Sequence, residues 1–136
     1  MSEKTIHFKI ITPEKIVYEN DVDAIYAHGI SGSFGILPNH IPFMSVLAIG
    51  TAKAEKGNDE QIFSIMGGAF QFKNNEAVIL TEAAELGGDI DTARAQLAKE
   101  RAEALIGKAE TEKDIKLANN ALARALARLK AAGQQK

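Results

Sequence analysis

Residue types change abruptly at Gly87-Gly88 in this 136-residue chain. All three prolines and all eight aromatic residues precede the glycine pair, and all four arginines follow it. From Asp89 onward, thirteen of 48 residues are alanine, which favours helix strongly. Residues 1–88 carry six lysines against eleven acids, net −5, whereas the rest of the chain is net +3. The sequence therefore predicts an α+β protein in two parts, joined at the glycine pair.

Other features of the composition exclude several classes of protein. Without cysteine there is no disulfide framework, thiol catalysis or cysteine metal site. A pI near 5.9, with the aromatic residues in the acidic part, argues against a nucleic-acid partner. No apolar run approaches the roughly 20 residues that span a bilayer. Residues 1–12 alternate polar and apolar, unlike a signal peptide. We expect a cytoplasmic protein.

The part before the glycine pair carries short runs with the alternation of strands. Ile6, Phe8 and Ile10 share one face, and Asn74-Asn75 marks a turn. The predicted strand runs lie at residues 5–10, 16–18, 22–26, 61–66, 70–73 and 77–80. Many short strands separated by turn signals indicate an antiparallel β-sandwich or barrel.

Residues 29–42 form a different kind of segment. Their glycines and prolines prevent a helix and interrupt a central strand. The segment nevertheless carries Phe34, Ile36, Leu37 and Ile41. Such a segment is either tucked into the core or offered to a partner, and the residues alone favour tucking by about two to one.

The residue pattern contains no recognisable catalytic or metal centre. The three histidines lack metal-ligand spacing, and no nucleophile elbow or phosphate-binding loop is present. Gly67-Gly68 is predicted to mark a bulge, because no helix start follows it. His40, within the apolar segment, is a candidate contact residue.

After the glycine pair, two helices are predicted at residues 92–106 and 114–130. Asp89 or Asp91 caps the first helix, and Gly107 ends or loosens it. Apolar residues at helical spacing predict the stripes along which the helices pack antiparallel: Leu97, Leu105 and the alanines between them on the first helix, and Leu117 or Ala118, Leu122, Ala125, Leu126 and Leu129 on the second. Because the other stripe positions are alanines, the interface is thin and the hairpin is sensitive to a ligand or partner.

The arginines of the two predicted helices are spaced to share faces. Four residues of the first helix lie within a face about 80° wide: Asp91, Arg94, Ala98 and Arg101. Arg124 and Arg128 are an i, i+4 pair on the second helix. If the faces converge, a polyphosphate would neutralise the guanidiniums and match their geometry. The alternative, favoured by spacing alone, is solvated arginines paired with acids such as Glu100 or Glu103.

Three stretches together resemble epsilon subunits of F-type ATP synthases. The first is Ile10-Ile11-Thr12-Pro13-Glu14 with Val17-Tyr18. The second is the segment from Gly32 to Pro42, which includes Gly35-Ile36-Leu37-Pro38-Asn39-His40-Ile41-Pro42. The third, Ile90-Asp91-x-x-Arg94-Ala95-x-x-Ala98-x-x-Arg101, is similar to the ATP-binding motif of the bacterial family members. The resemblance covers the whole chain in order.

The resemblance implies a non-catalytic rotor subunit of the central stalk, which couples a proton-driven c-ring to ATP synthesis. A β-sandwich of about ten strands (1–86) would dock on the gamma subunit and the c-ring, followed by a joint (87–90) and a regulatory helix-turn-helix (91–136). The chain would lie peripherally on the cytoplasmic face of the bacterial membrane, touching it only through the c-ring. No cofactor is required.

The resemblance also implies that the apolar segment faces the c-ring, which reverses the expectation from the residues alone. The implied contact residues are Ser33, Phe34, Ile36 and His40. Position 33 is commonly acidic in the family and is serine here. Apolar and backbone contacts therefore replace a charge pair.

Finally, the resemblance implies a switch with ATP as its regulatory ligand. Extended, the hairpin would reach the alpha and beta subunits and impede ATP hydrolysis; compact, it would permit turnover. The implied ATP-binding residues are Glu85, Ile90, Asp91, Arg94, Ala95, Arg101, Arg124 and Arg128. Arg124, Arg128 and Lys130 would meet an acidic segment of beta in the inhibited state.

Two alternatives stay open at this stage. One is a free-standing module, in which a sandwich carries a hairpin that senses an anion or nucleotide. The other is an enzyme such as a small phosphohydrolase, disfavoured because no nucleophile or paired metal-binding carboxylates accompany the arginines.

Overall fold

The computed structural model describes residues 5–133, which form a β-sandwich followed by two α-helices. The strands are β1 (Ile6–Ile11), β2 (Ile16–Val22), β3 (Ala24–Gly29), β4 (Gly32–Ile36), β5 (Phe43–Lys56), β6 (Asp59–Lys73), β7 (Glu76–Leu80) and β8 (Ala84–Leu86). A 3-10 turn (Gly87–Asp89) leads into α1 (Thr92–Lys108) and α2 (Glu112–Ala131). None of the helices in residues 5–133 has the length and apolar character needed to cross a bilayer.

The strands follow one hydrogen-bonded path, β2-β1-β7-β6-β5-β3-β4, with β8 also paired to β6. The long hairpin of β5 and β6 belongs to both layers: one half of β6 pairs with β7 and the other half with β8. The predicted sandwich is confirmed. Residues 5–133 contain eight strands where about ten were expected, and two of the predicted runs, 61–66 and 70–73, form the single strand β6. The pair β1–β7 is parallel; the other pairs are antiparallel.

Gly67 and Gly68 allow β6 to bend from one layer into the other. Their φ angles are +78° and +112°, in a region that residues with a Cβ rarely adopt. A Cβ on Gly68 would meet the carbonyl oxygen of Leu80 and lie 2.9 Å from the Cα of Thr81. The register with β5 continues on both sides, so the predicted bulge is wrong: the glycines form a bend within a continuous ladder.

Alternating apolar residues from both layers form the core of the sandwich. Ile6, Phe8 and Ile10 of β1 are fully buried, as their spacing predicts. Phe63 of β6 packs against Tyr18 of β2, with ring centroids 4.8 Å apart. Burial of several large side chains in one cluster supplies most of the hydrophobic stabilisation of this part of the chain.

Part of the apolar segment at residues 29–42 is buried in the core and part is exposed, so each of the two predicted alternatives holds for some of its residues. Its middle forms β4, which pairs with β3 at the end of the sheet path. Ile36 is 1% exposed, and the Phe34 ring packs 5.0 Å from Phe70. Leu37 and Ile41 are exposed. The segment is thus partly tucked into the core and partly presented to solvent.

The helices pack antiparallel through small residues. Ala95 and Ala102 are the buried residues of α1, whereas Leu97 and Leu105 are more than half exposed. Leu117 of α2 is also exposed, whereas Ala118, the alternative predicted for that point of the stripe, is buried. The predicted leucine stripe is therefore wrong for these positions, because α2 packs against the alanine face of α1. Gly107 lies within α1 and does not end it.

The hairpin is docked on the sandwich through α2, which lies against β5 and β6. Leu129 and Ala131 at the end of α2 form a small apolar cluster with Ile90 and Ala95, with Ile62 of β6 packed against it. This cluster is much smaller than the sandwich core. The structure therefore shows the hairpin in its compact arrangement, held by a modest apolar contact.

Candidate functional site

A polar cavity of about 590 Å³ lies where the sandwich meets both helices. It is bounded by the end of the sandwich, the segment before α1, one face of α1 and the last turns of α2. Its lining residues are Ala83, Glu85, Asp89, Ile90, Asp91, Arg94, Ala95, Ala98, Arg101 and Arg128. Arg128 reaches the cavity because α2 returns to the start of α1, although Arg128 is distant in sequence from the other lining residues.

Glu85 and Arg128 connect the sandwich to α2 across this cavity. Arg128 Nε donates a hydrogen bond to Glu85 Oε1 at 2.8 Å, between residues 43 positions apart. Their side chains are 32% and 42% exposed, so solvent screens the ion pair. The contact still orients the guanidinium toward the cavity.

Asp91 determines how α1 begins. Its carboxylate accepts a hydrogen bond from the backbone N–H of Arg94 at 3.1 Å, which caps the helix. The cap fixes the direction of the first turn, from which Arg94 projects. Arg101 lies two turns further along the same face.

The guanidiniums of Arg94 and Arg101 are available to a ligand. Within residues 5–133, neither has a carboxylate oxygen within 4.0 Å. The proposed surface partner Glu100 instead accepts a hydrogen bond from Gln96 at 3.1 Å. The alternative of arginines paired with nearby helix acids is therefore not observed in the described part of the chain.

The lining is formally neutral, because three carboxylates accompany three guanidiniums. Guanidinium forks match the oxygens of phosphates, whereas carboxylates accept hydrogen bonds from hydroxyl or amino groups. A ligand that carries both kinds of group suits this lining better than a simple anion. The cavity thus has the chemistry to hold a nucleotide.

Seven of the eight predicted ATP-binding residues line the cavity. They are Glu85, Ile90, Asp91, Arg94, Ala95, Arg101 and Arg128. Arg124 lies one turn earlier on α2 and is not among the lining residues. Three arginines therefore converge where the spacing suggested four. Ala98, which belongs to the motif but not to the implied ATP-binding residues, and Asp89, which lies outside the motif, also line the cavity.

The residues predicted to contact the c-ring differ in accessibility. Ser33 is exposed, and its Oγ lies 2.7 Å from His28 Nδ1. His40 is half-buried, with its ring against Phe72. Ile36 requires a correction, since its side chain lies in the sandwich core and is not available to a partner.

An exposed apolar row on β5 and β7 was missed by the sequence interpretation. Met44, Val46 and Leu80 are 72%, 57% and 53% exposed. Val46 and Leu80 both pair with Ala69 of β6, so they lie in one row across the sheet. Four of the five residues at 43–47 are apolar (Phe43, Met44, Val46 and Leu47), and this short apolar run is the signal that would have indicated a strand with apolar residues on both faces.

The fold and the site define a class of two-part chain, in which a β-sandwich carries a docked helical hairpin and both parts share one charged cavity. Residues 5–87 match the model of the ATP synthase Delta/Epsilon chain beta-sandwich domain. Residues 89–133 match the model of the long alpha-helix domain of the same chains. The chain belongs to this family, the delta/epsilon chains of ATP synthase.

Curated relatives agree over nearly the full length. The chain is 41% identical to the ATP synthase epsilon chain of Halalkalibacterium halodurans over 131 residues, which cover 96% of this chain and 98% of that relative. It is 42% identical to the epsilon chain of Syntrophobacter fumaroxidans over 132 residues, covering 97% and 98%. The resemblance to epsilon subunits is confirmed.

Two solved structures share the fold. One is a chain of the Euglena gracilis mitochondrial ATP synthase assembly with OSCP, F1 and c-ring. It matches with a TM-score of 0.83 and 23% sequence identity, and the match covers 97% of this chain and 83% of that chain. The other belongs to the central stalk and c-ring of Tetrahymena thermophila mitochondrial ATP synthase: TM-score 0.64, 18% identity, 96% and 98% covered.

Family membership decides between the classes that the residues left open. Epsilon chains are non-catalytic components of ATP synthase, so the prediction of a non-catalytic subunit is confirmed. The phosphohydrolase alternative is wrong. The alternative of a free-standing module is not supported either, because the relatives named as epsilon chains match both parts of the chain.

Proposed function

We propose that this chain acts in the central stalk, where its sandwich binds the gamma subunit and the c-ring and couples rotation to ATP synthesis. The observation that supports this is the similarity to chains in F1/c-ring and central-stalk assemblies. The exposed row of Met44, Val46 and Leu80 supplies apolar surface suited to another subunit. The chain would then lie peripherally at the cytoplasmic face of the membrane, touching it only through the c-ring.

Co-purification tests the stalk assignment. Val46→Lys places a charge in the exposed row and is expected to reduce recovery with gamma and c subunits. Leu97→Lys, on an exposed site of α1, is the matched control and is expected to leave recovery unchanged. Equal recovery of both variants would contradict a subunit contact through this row.

We further propose that ATP binds the charged cavity as a regulatory ligand and requires no other cofactor. The observation that carries this is that Arg94 and Arg101, which have no carboxylate partner among residues 5–133, face a cavity that also contains Arg128 and three carboxylates. The guanidiniums would bind the phosphates. Glu85 or Asp91 would accept hydrogen bonds from the base or sugar.

Calorimetric titration with ATP tests this binding. Arg94→Ala or Arg101→Ala each removes a charged hydrogen-bond donor, so affinity is expected to fall roughly tenfold or more. Arg124→Ala is the matched control on α2, where a smaller effect is expected because Arg124 lies outside the lining. No saturable binding, or binding unaffected by Arg94→Ala, would sink the proposal.

We also propose that the hairpin switches between this compact arrangement and an extended one that inhibits ATP hydrolysis. In the extended state Arg124, Arg128 and Lys130 would meet acidic residues of beta, near alpha. Arg128 cannot hold Glu85, ATP and beta at once, so ATP would favour the compact state by mass action.

Deletion of residues 89–136 tests inhibition in the assembled complex. ATP hydrolysis at low ATP is expected to rise, because the inhibitory element is removed. At high ATP the difference from the intact complex is expected to shrink. Unchanged hydrolysis at low ATP would show that the hairpin of this chain is not an inhibitor.

A further inference from the structure

The two glycines at the joint between sandwich and hairpin differ in their surroundings. A Cβ on Gly87 would meet the carbonyl oxygen of Ala131, lying 2.9 Å from its carbonyl carbon and 3.0 Å from the carbonyl oxygen of Ile62. These are backbone atoms, which cannot rotate away. A Cβ on Gly88 would have nothing within 4 Å. Neither glycine has a φ in the left-handed region, so the difference between them is steric.

Gly87 is therefore part of the surface on which α2 docks. The last turn of α2 approaches the chain so closely that residue 87 has no room for a methyl group. If the hairpin leaves the sandwich, Ala131 leaves with it and the two shortest contacts disappear, whereas the 3.0 Å contact with the carbonyl oxygen of Ile62 in β6 remains. A side chain at position 87 therefore opposes docking more than it opposes folding of the sandwich.

Ser64 lies under the docked helix and has the opposite effect. It pairs with Thr51 and Glu85 across the sheet, so its side chain is on the face that α2 covers. Ser64 is fully buried, and its Oγ has no hydrogen-bond partner among the described residues. A buried hydroxyl without a hydrogen-bond partner destabilises the docked arrangement, because water forms hydrogen bonds with it once α2 leaves this face.

Among residues 5–133, α2 lies along both β5 and β6, but large apolar side chains and ion pairs contribute little to this contact. In residues 5–133 the ion pair between them is Arg128–Glu85, which is partly exposed. The apolar contact is the small cluster around Leu129 and Ala131. Because these favourable contacts are modest, one steric change or one hydrogen-bond change shifts a large share of the molecules between the docked and undocked arrangements of α2.

We infer that Gly87 and Ser64 affect the docking equilibrium of α2 in opposite directions. The missing side chain of Gly87 permits docking, and the buried hydroxyl of Ser64 weakens it. This regulation rests on the proposed switch only for its effect on ATP hydrolysis. The docking equilibrium itself is a property of the isolated chain.

Amide hydrogen exchange of the full chain measures docking directly, because an undocked alanine-rich helix is marginally stable and exchanges readily. In Gly87→Ala, amides of residues 112–131 are expected to exchange at least about tenfold faster than in Gly88→Ala, the matched control. In Ser64→Ala they are expected to exchange several-fold to tenfold slower than in the unmodified chain. Amides of β1 and β7 report whether the sandwich is intact.

The outcomes separate this inference from the proposed function. Equal exchange of α2 in both glycine variants, with Ser64→Ala unchanged, would overturn the inference. If Gly87→Ala also loses protection in β1 and β7, Ser64→Ala decides alone: slower exchange supports the inference, and no change overturns it. Shifted docking without any change in ATP hydrolysis by the assembled complex would uphold the inference and reject the proposed switch.

Discussion

The arginines that line the cavity differ in how many carboxylate partners they have. Arg128 is held by Glu85, whereas Arg94 and Arg101 face the same cavity without a carboxylate partner in the described residues. When an anionic ligand binds, a guanidinium that already has a carboxylate partner exchanges that partner for the ligand. A guanidinium without a carboxylate partner gains a new one. Binding of a polyanion therefore gains most from the unpaired arginines of α1.

The structure raises the pKa of His7. Its Nδ1 lies 2.9 Å from Asp21 and its Nε2 lies 2.7 Å from Glu19. The hydrogen bond with Asp21 and then that with Glu19 raise the pKa of His7 above 6.5. Because the folded pKa is the higher one, the stabilisation is fully present below pH 6.5 and is lost as pH rises through the folded pKa.

An NMR titration of His7 checks this prediction. The pKa of His7 is expected to lie above 6.5 and to fall further in Asp21→Asn than in Glu19→Gln, since the Asp21 hydrogen bond is the larger cause. The effect on stability is expected to be small, because the side chain is 41% exposed. An unchanged His7 pKa in both variants would contradict the assignment.

Among the elements, the long hairpin of β5 and β6 determines the shape of the sandwich. Each strand crosses from one layer to the other, and in β6 the crossing uses backbone conformations at Gly67 and Gly68 that only glycine adopts readily. The helices depend instead on small side chains, because Ala95 and Ala102 allow α2 to approach α1 closely.

Gly68→Ala tests the bend. The substitution combines a φ of +112° with a collision against the backbone of Leu80 and Thr81, so a loss of about 3 kcal/mol or more in unfolding free energy is expected. Gly57→Ala is the matched control: its φ is +60° and nothing lies within 4 Å, so about 1 kcal/mol is expected. Equal losses in denaturant unfolding would show that the bend tolerates a side chain.

At the scale of the whole molecule, two units of unequal stability share one boundary. The sandwich has a large core of aromatic and branched side chains, whereas the docked hairpin has a small apolar cluster and one ion pair to the sandwich among residues 5–133. The sandwich sequence is net acidic and the hairpin net basic, which adds a screened attraction between them. Local opening is therefore expected to begin at the hairpin.

If ATP binds the shared cavity, it is expected to protect the hairpin selectively. At a free concentration of 100 times the dissociation constant, the added stability is about 2.7 kcal/mol, which corresponds to roughly a hundredfold slower exchange of amides in residues 112–131. Amides of β1 and β7 should not change. Uniform protection of all strands and helices would contradict two units of separate stability.

Much of this architecture is already determined by local sequence. Alternation in β1 buries Ile6 and Phe8 because every second strand residue faces the same side. Asp91 begins α1 because its carboxylate reaches the N–H of Arg94, three residues on. The spacing of Arg94 and Arg101 places both on one face, whatever the helix packs against. Near neighbours along the chain are sufficient for each of these outcomes.

Only the tertiary structure decided which surfaces meet. It buried Ile36, brought Arg128 to Glu85, left Arg124 outside the cavity and removed the space for a side chain at Gly87. Each outcome depends on how closely two elements that are distant in sequence approach and how they are rotated. Local propensity and periodicity carry no information on that distance or rotation, because packing of the whole chain sets both.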